Sequence, residues 1–145
     1  ADGSRGIDVV NATTNAHTTP LTIYSQLGAN SNNQFHSNII RNCNIGISLS
    51  GYNDAAPYAF ADTGNDIGGT SAATGNTIIN FGGGGSANAA EGVIATAQYS
   101  FNVSYNTINN NTGTGVNHAT TLRGIYLGNG SGADVTVTNN TLTLH

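Results

Sequence analysis

Glu91-Gly92-Val93-Ile94 followed by Ser104-Tyr105-Asn106-Thr107-Ile108, and Arg123-Gly124-Ile125-Tyr126 followed by Thr138-Asn139-Asn140-Thr141-Leu142, are two renderings of one pattern. The offset is 32 residues at the glycine and 34 at the asparagine, so a connecting loop absorbs the difference. Both stations recur upstream. Asn followed by Thr or Ile and then Ile or Leu stands at Asn38, Asn76, Asn106 and Asn140, and Gly followed by an aliphatic stands at Gly6, Gly46, Gly92 and Gly124. The two kinds alternate, with like stations 30 to 46 residues apart. A period of that size with variable loops signals a solenoid, in which each coil buries its apolar face against its neighbours.

Strand signals are short and bounded by turn residues: 7–10, 21–24, 38–41, 46–49, 77–80, 92–95, 102–105, 124–127, 134–138 and 141–144. Gly46-Ile47-Ser48-Leu49 and Val135-Thr136-Val137-Thr138 alternate with a period of two, aliphatic on one face and small or hydroxylated on the other. No window carries a sustained helical stripe. Such short strands suit a coil that turns a corner after each one and pairs in parallel with the coil above. The expected fold is all-β, a parallel β-helix of about four coils forming a single domain over 1–145. The recurring Asn suits corners, where it tolerates left-handed backbone, and in register it also builds amide ladders. Glu91 and Arg123 fall on equivalent places and are expected to pair at the surface, which contributes ~0–1 kcal/mol. Longer excursions are expected over 28–35, 51–74 and the Gly-rich 82–90, and loops carry the function of most scaffolds.

Composition narrows the partners. Charged residues make up 7% of the chain, against about 25% in ordinary domains. There are three Arg and no Lys, and the formal net charge is -4. Phosphate recognition needs Lys/Arg density, so nucleic acid and anionic membrane surfaces are not expected partners. No apolar run approaches the ~20 residues of a membrane span. The start Ala1-Asp2-Gly3-Ser4-Arg5 is not a signal peptide, and the missing initiator Met reads as a processed product or an excised piece. Cys43 stands alone and reads as a small buried hydrophobe. An Asn/Thr/Gly-rich, charge-poor repeat chain fits a secreted or cell-surface protein.

The stretch Asn65-Asp66-Ile67-Gly68-Gly69-Thr70-Ser71-Ala72-Ala73-Thr74-Gly75-Asn76-Thr77-Ile78-Ile79 carries a family likeness. It resembles the N-x-I-G-G-T-x-x-x-x-G-N-x-I element of secreted bacterial right-handed parallel β-helix repeats, of the pectin-lyase-like superfold. Gly92-Val93, Ser104-Tyr105-Asn106-Thr107-Ile108-Asn109-Asn110 and Gly124-Ile125-Tyr126 continue the likeness, which covers roughly 36–145. Such repeats are common in large surface and adhesin-like proteins. The resemblance therefore implies a rigid extracellular stalk or fibre. Carbohydrate-active members are about twice this length or longer and cluster Asp, or Asp with Arg or Lys, on one sheet. This chain departs from them on both counts. Neither end shows a polar or helical cap, so the coils are expected to stack on neighbouring coils of a longer chain or on another copy.

Candidate chemistry lies in the 51–74 excursion. Asp54, Asp62 and Asp66 could pair as general acid and base on a glycosidic bond, or contribute to a structural calcium site with loop carbonyls; the simpler reading is turn residues. Tyr52, Tyr58 and Phe60 are the candidate stacking faces for a glycan or another surface, against a simpler role as loop-covering hydrophobes. Of the Arg residues only Arg41 sits on a strand where it could serve a lyase, and no acid accompanies it. His17, His36, His118 and His145 are scattered without metal-ligand spacing. Thr-x-Thr occurs at Thr112, Thr136 and Thr141, as an ice-binding face would need, but the coil before Thr136 and Thr138 offers Asn102 and Ser104. Five Asn-x-Ser/Thr sequons begin at Asn11, Asn102, Asn110, Asn129 and Asn139, and in so Asn- and Thr-rich a chain most are chance. The expectation is a structural or adhesive segment rather than an enzyme, with no catalytic residue assigned. A carbohydrate-active enzyme and an ice-binding protein are the alternatives.

Overall fold

Every long strand of the chain pairs in parallel with a strand one coil away. The computed structural model describes residues 3–12, 21–83, 88–113, 116–130 and 132–145. The first coil holds β1 (Arg5–Val10), β2 (Gln34–Phe35) and β3 (Ile39–Arg41). The second holds β4 (Ile45–Ser50), β5 (Asp62–Thr63), β6 (Asp66–Ile67) and β7 (Thr77–Ile79). The third holds β8 (Ala90–Thr96), β9 (Gln98–Tyr99), β10 (Phe101–Ser104) and β11 (Thr107–Asn109). The fourth holds β12 (Leu122–Gly128), β13 (Val135–Thr138) and β14 (Thr141–Thr143). Three four-stranded sheets result, in the orders β1-β4-β8-β12, β2-β6-β10-β13 and β3-β7-β11-β14, with β5-β9 a small fourth. The protein is thus a parallel β-helix of four rungs, about three turns from the first rung to the last. The one helical segment among the described residues is a single 3-10 turn at Gln26–Gly28, and no helix there is long and apolar enough to cross a membrane.

Alternation along each strand sends every second side chain inward, and the register stacks these side chains into columns. Ile7, Ile47, Val93 and Ile125 form one; Val9, Leu49, Ala95 and Leu127 a second. Phe35, Ile67, Val103 and Val137 form a third, and Ile40, Ile78, Ile108 and Leu142 a fourth. The two middle rungs supply the fully buried members, while Ile7, Val9, Phe35, Ile125, Leu127 and Val135 at the end rungs are only partly covered. Cys43 is buried in this core, and burial pushes its thiol pKa up.

The two sequence stations interlock. A methyl group added at Gly6, Gly46, Gly92 or Gly124 would run into Ile40, Ile78, Ile108 or Leu142, the apolar residue of the Asn station on the same rung. Each glycine is there because two faces of the coil meet at that point without room for a Cβ. The asparagine stations turn out to be ladders rather than left-handed corners. The left-handed backbone falls one residue earlier, at Ser37 (φ 55°), Tyr105 (φ 60°) and Asn139 (φ 54°).

Three expectations need correction. Residues 21–24 are not a strand, because no strand of the next coil lies opposite to pair with them; Leu21 and Tyr24 are 46% and 86% exposed. The 28–35 and 51–74 excursions are partly rungs, containing β2, β5 and β6. Glu91 and Arg123 do pair across coils, at 3.0 Å, but Glu91 is buried at 3% exposure, so this is no simple surface ion pair. His17, Thr114 and part of the Gly-rich 82–90 stretch lie outside the described residues.

Candidate functional site

The corner between the first two sheets is built of amides around one carboxylate. Asp62, on β5, is 1% exposed. Its Oδ1 accepts from Asn11 Nδ2 and from the Asn30 backbone N–H, both at 2.9 Å, and its Oδ2 accepts from Gln98 Nε2 at 3.4 Å. Asn30 Nδ2 closes the ring by donating to Asn11 Oδ1 at 2.7 Å. Among the described residues no cation pairs with Asp62. Burial therefore dominates and raises its pKa, against the lowering pull of Asn30, Gln98 and Asn11. The adjoining Asn65 and Gln98 are 2% and 0% exposed and belong to an amide ladder that crosses every rung. Asn33 donates from N–H and Nδ2 to Asn65 Oδ1, Asn65 Nδ2 donates to Gln98 Oε1 at 2.7 Å, and the Gln98 N–H donates to Asn129 Oδ1 at 3.2 Å. At the end of this ladder Asn129 Nδ2 is buried without a partner.

Asp66, on β6, points outward from the second sheet. It accepts from Asn102 Nδ2 at 2.6 Å and the Gly69 N–H at 2.9 Å, and it meets His36 Nε2 at 3.0 Å. Burial alone would raise its pKa, but the donors Asn102, Gly69 and His36, together with the charge of His36, outweigh it and hold the carboxyl below the usual range. Ser104 Oγ continues the patch, donating to Asn102 Oδ1 at 2.6 Å and lying 3.0 Å from Thr138 Oγ1. A hollow of about 380 Å³ opens beside these groups. The register there sets Asn102 beside Thr136 and Ser104 beside Thr138, so threonine does not repeat on that face.

Asp54 caps its own loop, accepting from the Ala55 and Phe60 N–H groups at 2.9 and 2.8 Å. The three candidate carboxylates thus have separate hydrogen-bond partners, and among the described residues no three of His, Cys, Asp and Glu gather as metal ligands. Of the candidate aromatics, Tyr58 stacks on Tyr99 of β9, with ring centroids 4.8 Å apart at 28°. The pair walls a hollow of about 340 Å³ with Gln26, Ser31, Asn32 and Thr63. Tyr52 and Phe60 are half-buried on the same loop. The Tyr99 hydroxyl is buried without a partner, and its pKa is raised by burial first and then by Tyr58 and Asp54 nearby. His118 is tied to the Gly83 N–H, Asn88 O and Thr120 Oγ1.

Sequence reasoning missed Tyr99 as the partner of Tyr58, and it missed Asn11, Asn30 and Gln98 around Asp62. The last ladder was readable: its steps of 32, 33 and 31 residues fall within the period of the other stations. Compared with protein-family models, with curated proteins and with solved structures, the chain finds no match in any of the three. Residues 65–79 themselves build one rung, with Asn65 and Asn76 in ladders, Ile67 and Ile78 in the core, and Gly68 where a Cβ would meet the Ser104 carbonyl.

Proposed function

We propose that this chain is a structural segment of a rigid extracellular β-helix, of the stalk or fibre type its repeats resemble, with a lateral surface that contacts glycans or another surface. One observation carries the reading: each of the acidic residues is tied into hydrogen bonds of the scaffold. Asp62 is sealed under three amide donors, Asp54 caps a loop, and Asp66 ties three rungs through His36 and Asn102. Two carboxyls flanking an open substrate space, as glycoside hydrolysis needs, are not among these roles. The charge-poor composition supports a place outside the cell, and the Tyr58–Tyr99 stack beside amide-lined space offers the apolar face and hydrogen bonds that a sugar ring takes.

The test has three readouts on one preparation. Limited proteolysis should leave the rung core intact for far longer than an ordinary domain of this size. Incubation with neutral and acidic polysaccharides should release no product. A glycan array should give binding that Tyr58→Ala weakens at least tenfold. Turnover that disappears in Asp66→Asn or Asp62→Asn would replace the structural reading with a carbohydrate-active one.

A further inference from the structure

We propose that the lateral surface holds an oligosaccharide of uncharged sugars laid across the coil, one end on the Tyr58–Tyr99 stack and the other beside Asp66 and Asn102. The proposal rests on the glycan contact in the reading above and names its ligand class and its path. Two hollows meet there. Thr63 and Tyr99 line the first, and the residues that follow them in the chain, Gly64 and Ser100, line the second. Thr63 pairs in register with Tyr99, and the Gly64 N–H donates to the Tyr99 carbonyl at 3.0 Å. The two hollows therefore follow one another along both the second and the third rung, and the track they form runs around the solenoid rather than along its axis.

The ridge between them is low. It consists of Gly64 beside the exposed Ser100, both with left-handed backbone, at φ 69° and φ 45°. A Cβ on Gly64 would run into Asn32 Oδ1, so the glycine also leaves room for an amide of the first hollow. The two ends differ in chemistry. The first has the half-buried Tyr58 ring, backed by Tyr99 at 4.8 Å, with the hydroxyls of Ser31 and Thr63 at its rim. An aromatic face with a few polar groups around it suits the apolar side of a sugar ring. The second has the hydroxyls of Thr70, Ser104 and Thr138 around Asp66, which suits sugar hydroxyls. A chain of rings that repeats an apolar face and a hydroxyl edge meets both ends at once. At about 340 and 380 Å³, each hollow is within the usual size of a small-molecule site.

Charge selects among such chains. Asp66 lines the second hollow, and its carboxyl, held below the usual range, is ionised at neutral pH. The Tyr99 pKa is raised by burial first and then by Tyr58 and Asp54, which sets the Asp54 carboxylate within reach of the first hollow. His36 is engaged with Asp66 at 3.0 Å, and among the described residues no Arg lines either hollow. A uronate placed on this track meets like charge at both ends and no guanidinium to hold it. A neutral chain avoids that penalty. It also gains from length, because a sugar held in the first hollow delivers the next to the second at a raised effective concentration.

Calorimetric titration of the full chain tests this. The probes are neutral oligosaccharides of glucose, mannose, galactose and N-acetylglucosamine, from two to six units, and uronic-acid oligosaccharides of the same lengths. At least one neutral series should bind, its tetrasaccharide at least tenfold tighter than its disaccharide. The acidic chains should bind at least tenfold more weakly at low salt, with the gap narrowing as salt screens the carboxylates. Tyr58→Ala should weaken short and long chains alike. Ser100→Tyr, which raises the ridge, should bring the tetrasaccharide down to the affinity of the disaccharide. Tyrosine is tolerated on such backbone, since Tyr58 and Tyr105 are themselves left-handed at φ 63° and 60°. Thr70→Tyr, which fills the second hollow, serves should Ser100→Tyr lose its circular dichroism. Affinity that does not grow with length, a ridge variant that keeps the advantage of length, or acidic chains that bind as tightly as neutral ones overturns the proposal and leaves the glycan contact standing. Binding by none of the series removes both.

Discussion

Asn106 is 1% exposed and sits at the centre of its ladder, bonded to Asn76, Asn140 and the carbonyls of Ile67 and Ser104. Truncating it to Ala strands the Asn76 N–H and two carbonyls in a place water does not reach, at about 1–3 kcal/mol for an orphaned group. Asn140→Ala, on the open rung where water can substitute, should cost clearly less. Equal losses in chemical denaturation would show that the ladder adds nothing beyond space filling. The two acids at the second rung predict an unusual acid profile. The pKa of Asp62 is raised, so its charge penalises the fold at neutral pH, and that cost is relieved as pH falls through its folded value. The pKa of Asp66 is lowered, so its contribution persists down to the ordinary carboxylate range and is lost only below it. Tm should rise on mild acidification and then fall. Asp62→Asn should flatten the rise and Asp66→Asn the fall, and a steady decline of the wild type from neutral pH would contradict both assignments.

At the scale of the element, each rung is locked where its glycine station meets its own aliphatic station. Gly92→Ala pushes a methyl group into Ile108 and the Gly124 carbonyl, and overpacking of that kind costs about 1–3 kcal/mol. A stability change below a few tenths in urea titration would mean the rung relaxes freely there. This lock explains what the sequence made legible. Both stations repeat because both are steric requirements of every coil, so the long strands β4, β8, β10 and β12 and their stacking could be read directly. The two-residue strands β2, β5, β6 and β9 could not, since two residues hold no alternation to count. Asp62 and Asp66 looked like residues of an excursion for that reason, although they stand on rungs. The Asp62 cage draws Asn11 and Asn30 from a different coil, and no local spacing announces such a convergence.

For the whole molecule, the core is thickest in the middle and thin at both ends. Ile47, Ile67, Ile78, Val93, Val103 and Ile108 are fully covered, while Val137 and Leu142 are nearly half open. A stack of nearest-neighbour rungs has stability that depends on how many faces each rung covers. The middle rungs should open only with global unfolding, and the end rungs by local fraying. Residue-resolved hydrogen exchange of the wild type tests this most directly. The account predicts slow exchange at the Asn76 and Asn106 N–H groups and along β4, β8, β10 and β11, with β12, β13 and β14 fast. Exchange as fast in the middle rungs as at the ends would contradict it.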